Sequence, residues 1–295
     1  MVEKAQAKVL VIGSGGMLGR ALVSVVSRSF LTTGLSHDDL DITDLKKTKN
    51  ICAQIKPAVI VLAASYTDVD GCERNKSLAD RVNTQGVKNV ALAAQMTKAI
   101  LILVSTDYVF NGRKRSLYNE KDAPDPVSIY GASKLKGEEI VRRLIPKSVI
   151  VRCSLLFGEG KKGFVAMALD RLNKKEPIKA VFDKIASPTY VVDLAIAIAE
   201  VLRLIVSNRY DFKKNKILHI VNKGACSWYD MAKYIVDARG NRAVKVEKIK
   251  LDDFPFIAKR PRYSALDPAR YEKLIGKPLR PWQEALSEFI RCQSS

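Results

Sequence analysis

The sequence predicts an α/β fold in which helices cover both faces of a doubly wound parallel sheet, with a smaller substrate-binding region toward the C-terminal end. Short apolar runs rich in Val, Ile and Leu alternate with segments of helical periodicity through the first half of the chain. Within these runs apolar and polar residues do not alternate, which is typical of strands buried on both faces. A glycine-rich turn follows the first run. These three observations predict consecutive βαβ units.

The predicted elements follow one another in a regular order as far as residue 155. Strands are expected at 8–13, 30–35, 58–63, 100–104 and 148–152, and helices at 17–28, 44–55, 79–98 and 128–144. The later alternation is irregular, with helices expected at 164–173, 190–206, 228–239 and 282–291. We therefore predict a dinucleotide-binding Rossmann domain at 1–155, to which the chain returns at about 190–222, and a substrate-binding region at 156–189 and 223–295.

The composition indicates a folded protein of a reducing compartment. Hydrophobic residues make up 47% of the chain and charged residues 27%, which is ordinary for a globular protein. The five cysteines are scattered and form no CxxC pair, so neither a disulfide framework nor a zinc site is expected. No other metal site is expected, because His219 falls in an apolar run and His37 in a polar loop. The first strand begins too early to leave room for a signal peptide, and we expect a cytoplasmic location.

The formal net charge of +19 favours anionic partners without identifying one. Lys and Arg occur in many short clusters with no single dense tract, which favours a solvated basic surface over nucleic-acid binding. The most apolar helical stretch, 190–206, carries Asp193, Glu200 and Arg203, so we expect a buried amphipathic helix and no membrane span.

The turn after the first predicted strand has the sequence Gly-Ser-Gly-Gly-Met-Leu-Gly at 13–19. Glycines at this place let a pyrophosphate approach the amide groups at the positive end of the next helix. A tight turn without a ligand also needs glycine, and the GxxGxxG spacing differs from the GxGxxG of many dehydrogenases. Its position at the first βα turn favours dinucleotide binding.

A second motif places Tyr130 and Lys134 four residues apart, on one face of a predicted helix. An ammonium beside a phenol favours the phenolate, so we expect Lys134 to lower the pKa of Tyr130 from its usual value of about 10 toward neutrality. Thr106 follows the fourth predicted strand, at the carboxyl edge where ligands of such sheets bind. There it can help to hold a substrate carbonyl oxygen. A solvated helix also carries Tyr and Lys at this spacing, and only the context favours a catalytic pair.

These motifs and others along nearly the whole chain resemble the extended short-chain dehydrogenases and, within them, the dTDP-4-dehydrorhamnose reductase family. The similar segments are 13–19, 40–44, 63–67, 69–73, 82–83, 105–110, 130–138, 187–189 and 260–266.

The resemblance implies reduction of the C4 keto group of a dTDP-4-keto-6-deoxyhexose, most directly of dTDP-4-dehydrorhamnose to dTDP-L-rhamnose. By the same resemblance Tyr130 would protonate the C4 oxygen, and Lys134 would hold the nicotinamide ribose. The implied catalytic residues are Thr106, Tyr130 and Lys134. The implied cofactor-binding residues are Gly13, Ser14, Gly16, Met17, Leu18, Gly19, Asp41, Ile42, Ala63, Ala64, Ser65, Tyr130 and Lys134. The implied substrate-binding residues are Tyr66, Thr106, Asp107, Tyr108, Leu155, Arg260 and Ser264.

The sequence departs from the family pattern at places that bear on specificity. Leu62 stands where Asn is usual, Ile185 and Ala186 alter the loop before 187–189, and Leu155 stands where a sugar-contacting Trp is common. Loss of that apolar platform leaves the identity of the hexose open.

No acidic residue clearly ends the second predicted strand to bind a ribose 2′-hydroxyl. This absence, with Arg20 and Arg28 nearby in sequence, favours NADPH and leaves NADH as an alternative.

Two other functions remain open. The chain also resembles, less directly, the regulatory subunit of methionine adenosyltransferase, a binding partner that keeps similar motifs. Reduction or epimerisation of another nucleotide sugar is the second alternative, and an epimerase would need a further acid or base beside Tyr130. The oligomeric state also stays open, with a homodimer among the alternatives.

Overall fold

A computed structural model describes residues 7–160, 163–241 and 243–293. Its strands are β1 (Lys8–Ile12), β2 (Leu31–Leu35), β3 (Val59–Leu62), β4 (Ile100–Thr106), β5 (Ser148–Cys153), β6 (Leu156–Phe157), β7 (Ile178–Val181), β8 (Ile185–Ala186), β9 (Thr189–Tyr190), β10 (Ile217–His219), β11 (Cys226–Ser227) and β12 (Val246–Ile249). Its α-helices are α1 (Met17–Val26), α2 (Leu45–Ile55), α3 (Val69–Arg74), α4 (Lys76–Asp80), α5 (Val87–Thr97), α6 (Ile129–Leu144), α7 (Phe164–Asn173), α8 (Val191–Val206), α9 (Trp228–Ala238), α10 (Ala269–Ile275) and α11 (Trp282–Cys292).

The central feature is a six-stranded sheet with the order β10-β5-β4-β3-β1-β2, in which every pair is parallel. The strands β1, β3, β4 and β5 are buried along nearly their whole length, as the absence of alternation predicted. One face packs against α1 and α8, and the opposite face against α2, α5 and α6. The predicted doubly wound α/β fold is therefore confirmed.

The order of the predicted elements is correct, and their ends differ from prediction by one or two residues in most cases. The largest difference concerns the helix expected at 79–98. Helical backbone there begins at Lys76, where the Asn75 side chain accepts a hydrogen bond from the Leu78 amide, and a π-helical segment, Arg81–Gly86, separates α4 from α5. The sequence pattern also missed α3, α10 and the parallel pair β7–β12, because short elements carry too few residues to show a period.

The residues after β5 divide their contacts between the sheet and a smaller layer. Strand β10 pairs with β5 at the sheet edge, and α8 packs against α1. Helices α7, α9 and α11 pack around the β7–β12 pair and beside the sheet. We retain the two-region division at residue 155 as a proposal, since the predicted ranges also include residues outside the described part of the chain. No helix of the described residues is long and apolar enough to cross a bilayer.

Candidate active site

The glycine turn between β1 and α1 brings three segments into close contact. Gly13 has φ +94°, and a Cβ there would lie 2.5 Å from the Ala64 amide nitrogen. A Cβ on Gly19 would lie 1.9 Å from the Gly13 carbonyl oxygen. Glycine is required at both positions because the helix and the β3 loop approach the turn this closely. The first turn of α1 has no acidic residue and no side-chain cap, so its amides remain available to an anion.

A cavity of about 600 Å³ opens over this turn. Most of the predicted cofactor residues line it, namely Gly13, Gly16, Met17, Leu18, Gly19, Asp41, Ile42, Ala63, Ala64 and Ser65, together with Tyr66. Three predicted cofactor residues, Ser14, Tyr130 and Lys134, are outside the lining. The Ser14 amide donates to the Leu35 carbonyl oxygen at 2.9 Å. The volume, the bare glycine backbone and the open helix end fit a dinucleotide.

The two arginines that favoured NADPH do not line this cavity as far as the structure is described. Arg20 donates to the Gly15 carbonyl oxygen at 2.5 Å. Arg28 is exposed beyond the C-terminal end of α1, a helix length from the glycine turn. Arg20 therefore contacts a residue of the cavity lining without lining the cavity itself, whereas the length of α1 carries Arg28 away from it. The carboxylate that follows β2, that of Asp39, accepts hydrogen bonds from the amide and the hydroxyl of Ser36.

Tyr130 and Lys134 lie one turn apart at the start of α6, as predicted, and both are buried. The Lys134 amine donates to the Val104 carbonyl oxygen at 2.8 Å. The Tyr130 ring packs edge-on against Tyr108, with 5.6 Å between centroids. The pair therefore faces the end of β4, where Thr106 lies.

The expected direction of the Tyr130 pKa shift is wrong for this structure. Burial raises the pKa of Tyr130 above its usual value, and the neighbouring Thr106 hydroxyl opposes this only in part. Burial also lowers the pKa of Lys134 to about 8. For each group the cost of removing its charged form from water is the largest cause of the shift in pKa. The phenol is consequently held in its protonated form.

Asp107 follows β4 and is buried in a cluster of hydroxyl groups. Its Oδ2 accepts hydrogen bonds from Ser264 at 2.5 Å and from Ser154 at 2.9 Å, and its Oδ1 accepts one from Thr106 at 3.1 Å. Burial raises the pKa of Asp107, whereas Lys184 and the three hydroxyl groups lower it. The structure thus brings together Thr106, Asp107 and Ser264, which the family resemblance grouped as substrate residues.

The remaining predicted substrate residues have different contacts around this cluster. Tyr66 lines the dinucleotide cavity and packs in the same apolar cluster as Tyr108 and Tyr130, so it connects the cavity with the Tyr130 region. Arg260 is engaged by Asp70 through two contacts of 3.0 Å. Leu155 has φ +41° and lines a small cavity that shares Met17 with the dinucleotide cavity.

Asn83 organises the site, and sequence reasoning gave it no role. Its Oδ1 accepts hydrogen bonds from the Ser65 hydroxyl at 2.8 Å and from the Tyr66 amide at 2.9 Å. Its Nδ2 donates to the Ser133 hydroxyl at 3.1 Å, and Ser133 donates to the Tyr130 carbonyl oxygen at 2.8 Å. One buried amide in the π-helical segment therefore joins the β3 loop to α6. The family-like segment 82–83 includes this position, but the resemblance implied no role for it.

A buried ion pair stands behind the site between α6 and β5. Arg152 donates to both carboxylate oxygens of Glu138, at 3.0 and 2.7 Å, and both side chains are almost fully buried. The Ser105 hydroxyl donates to the same carboxylate at 2.5 Å. His219 on the neighbouring strand is also buried, which agrees with the prediction of a core histidine. Within the described ranges no group of three or more His, Cys, Asp or Glu residues is placed to hold a metal ion.

Comparison with known proteins gives one consistent family. A family model described as "RmlD substrate binding domain" matches residues 7–294. A relative named dTDP-4-dehydrorhamnose reductase, from Aggregatibacter actinomycetemcomitans, is 36% identical over 287 residues, which cover 95% of this chain and 97% of the relative. The crystal structure of the enzyme of that name from Bacillus anthracis, in complex with NADP, has a TM-score of 0.89 and 35% identity, and covers 97% of this chain and 99% of that one.

More distant structures share the fold alone. A UDP-glucose 4-epimerase from Thermus thermophilus in complex with NAD has a TM-score of 0.80 at 19% identity, and covers 96% of this chain and 98% of that one. This similarity confirms the Rossmann-type architecture and carries no further weight for the reaction.

Proposed function

The chain belongs to the dTDP-4-dehydrorhamnose reductase family, and from that premise we propose that it reduces the C4 keto group of a dTDP-4-keto-6-deoxyhexose with NADPH. The observation that carries the proposal is that Tyr130 packs in one cluster with Tyr66, which lines the glycine-rich cavity, while Lys134 contacts the end of β4 where Thr106 lies. The preferred substrate is dTDP-4-dehydrorhamnose and the product dTDP-L-rhamnose. A cytoplasmic location forms part of the same proposal.

The dinucleotide would be held mainly by backbone groups. Its pyrophosphate would lie against the amides of the glycine turn and the first turn of α1. Ala63, Ala64 and Ser65 would border it from β3, while Asp41 and Ile42 would border its adenine end. When bound, the reduced nicotinamide supplies a hydride for the carbonyl carbon.

Tyr130 serves as the proton donor in this proposal. As the carbonyl carbon gains the hydride, the carbonyl oxygen gains the electron pair of the C=O double bond and takes the phenolic proton from Tyr130 Oη. A reduction needs a protonated donor, and Tyr130 is protonated at neutral pH, since burial raises further a pKa that is ordinarily about 10. Thr106 orients the oxygen, and Lys134 stabilises the phenolate that remains.

Purified protein tests this proposal through the loss of nicotinamide absorbance when NADPH or NADH is offered with dTDP-4-dehydrorhamnose generated in situ. We expect turnover with NADPH and its dependence on the dTDP sugar. Cofactor binding without turnover of any dTDP-4-keto sugar would contradict the proposal. Co-purification with a methionine adenosyltransferase catalytic subunit would then support the regulatory alternative.

A further inference from the structure

A buried lysine that the function above leaves unused lies near Asp107. Lys184 is in the short connection between β7 and β8 and is 2% exposed. The residues before and after Lys184 are both held by hydrogen bonds. The Asp183 carboxylate accepts a hydrogen bond from the Leu251 amide at 2.7 Å, and the Ile185 amide donates to the Arg262 carbonyl oxygen at 2.7 Å. The backbone of Lys184 is therefore held on both sides.

Among the described residues the Lys184 amine makes no hydrogen bond and no ion pair within 4.0 Å, and it is not fully enclosed by protein atoms. It lies 5.4 Å from the centroid of the Tyr108 ring. Asp107 and Arg260 are the charged groups close enough to affect its pKa, which burial lowers and Asp107 raises. Since Asp70 already engages Arg260, Asp107 is the carboxylate left to balance Lys184. Because the amine is unpaired and not fully enclosed, it is available to a ligand that supplies the missing hydrogen bond.

Asp107 in turn has unused capacity to accept a hydrogen bond. A carboxylate offers about four lone-pair sites on its two oxygens. Ser154 and Ser264 occupy those of Oδ2, and Thr106 occupies one of Oδ1. One acceptor site on Oδ1 therefore remains, while the buried Lys184 amine nearby has only unused donors.

We propose that Lys184 and Asp107 together bind one hydroxyl group of the substrate hexose, which accepts from the Lys184 amine and donates to Asp107 Oδ1. This inference rests on the proposed function, which places the sugar beside Thr106, and it names Lys184 as a residue that determines sugar specificity. A hydroxyl fits both partners because it can accept and donate at once. A phosphate fits less well, because it has no proton to donate to Asp107 and would be repelled by that carboxylate.

The test compares the binding of dTDP with that of dTDP-L-rhamnose by calorimetry, in the wild type and in Lys184→Met. We expect the Kd of dTDP-L-rhamnose to rise roughly 10- to 100-fold, as for loss of a charged hydrogen bond, and the Kd of dTDP to stay unchanged. The KM of dTDP-4-dehydrorhamnose should rise by a similar factor, with unchanged NADPH binding. Lys179→Met, at an exposed position on β7, is the matched control and should behave as wild type.

A double-mutant cycle with Asp107→Asn tests whether the two residues share one hydroxyl. If they do, Lys184→Met should weaken sugar binding much less in the Asp107→Asn background than alone. Should Lys184→Met lose NADPH binding through misfolding, Lys184→Gln, which keeps a donor without a charge, takes its place. An intermediate loss of sugar affinity is expected for it.

Equal weakening of dTDP and dTDP-L-rhamnose would overturn the inference in favour of a phosphate contact, and unchanged binding of both would leave Lys184 without a binding role. Failure of the proposed function is recognised separately, as a wild type that binds NADPH but does not turn over the keto sugar. The binding comparison still decides the role of Lys184 in that case, because it needs no turnover.

Discussion

The two halves of the central sheet contribute different kinds of groups to the candidate site. On the side of β1, β2 and β3, the dinucleotide cavity is made mainly of glycines, small residues and free amides. On the side of β4, β5 and β10, buried ionisable side chains converge, including Asp107, Glu138, Arg152 and His219. In the proposed function the first side would bind the cofactor through the shape of the backbone, and the second would bind the sugar through charges held out of water.

This difference determines how each side responds to change. Backbone contacts are indifferent to pH but depend on the absence of a Cβ. Buried charges depend on every neighbour that satisfies them, and loss of one partner leaves an uncompensated charge. Substitutions on the two sides should therefore affect different properties, and by different amounts.

The largest effect is expected for Tyr130→Phe, on the ionisable side. Removal of the proton donor should lower kcat roughly 10²- to 10⁴-fold, whereas NADPH binding should persist because the ring remains. Steady-state kinetics and cofactor titration measure the two quantities. Tyr229→Phe on α9 is the control and should keep full activity. Near-wild-type turnover of Tyr130→Phe would remove this residue from the mechanism.

Glu138→Gln should have the next largest effect, on stability. The substitution leaves the Arg152 guanidinium buried without a carboxylate, and we expect a loss of about 3–5 kcal/mol in the free energy of unfolding. Urea denaturation measures it. Asp170→Asn breaks an exposed pair with Lys174 and should leave stability unchanged within error. Equal effects of the two substitutions would contradict the contrast between buried and exposed charges.

Gly19→Ala tests the backbone-built side. The new Cβ would collide with the Gly13 carbonyl oxygen, so α1 must shift away from the turn. A displacement of this kind should weaken NADPH binding by on the order of 10²-fold. Fluorescence titration checks this, with Gly163→Ala as the control, since a Cβ there meets nothing within 4 Å. Unaltered affinity in Gly19→Ala would mean that the cofactor does not use this turn.

The smallest effect concerns pH. Burial, with Arg152 nearby, lowers the pKa of His219 to about 3, from 6.5. The unfolded chain therefore binds a proton that the folded chain does not, and stability is lost as pH falls below 6.5. Between pH 6.5 and 5 this group alone should cost about 2 kcal/mol. Urea denaturation at the two pH values should show a shallower loss for His219→Leu than for wild type, while His37→Gln should show the wild-type slope.

The sequence by itself determined the order of the strands and helices, the glycine turn and the Tyr130–Lys134 pair. These features are local, because a period, a turn or an i, i+4 spacing is complete within a few residues. The position of Arg28 shows the limit of that reasoning, since nearness along the chain left it a helix length from the cavity, while Arg20 contacts the lining residue Gly15 without lining the cavity itself.

Only the tertiary structure decided the charge arrangement of the substrate side. Asp107 meets Ser154 and Ser264 across 47 and 157 residues of chain, and Lys184, in a further loop, helps to lower the pKa of Asp107. It also reversed the expected shift of the Tyr130 pKa. The physical reason is that burial is a property of all neighbours together, and desolvation is set by the whole packed surroundings of a group.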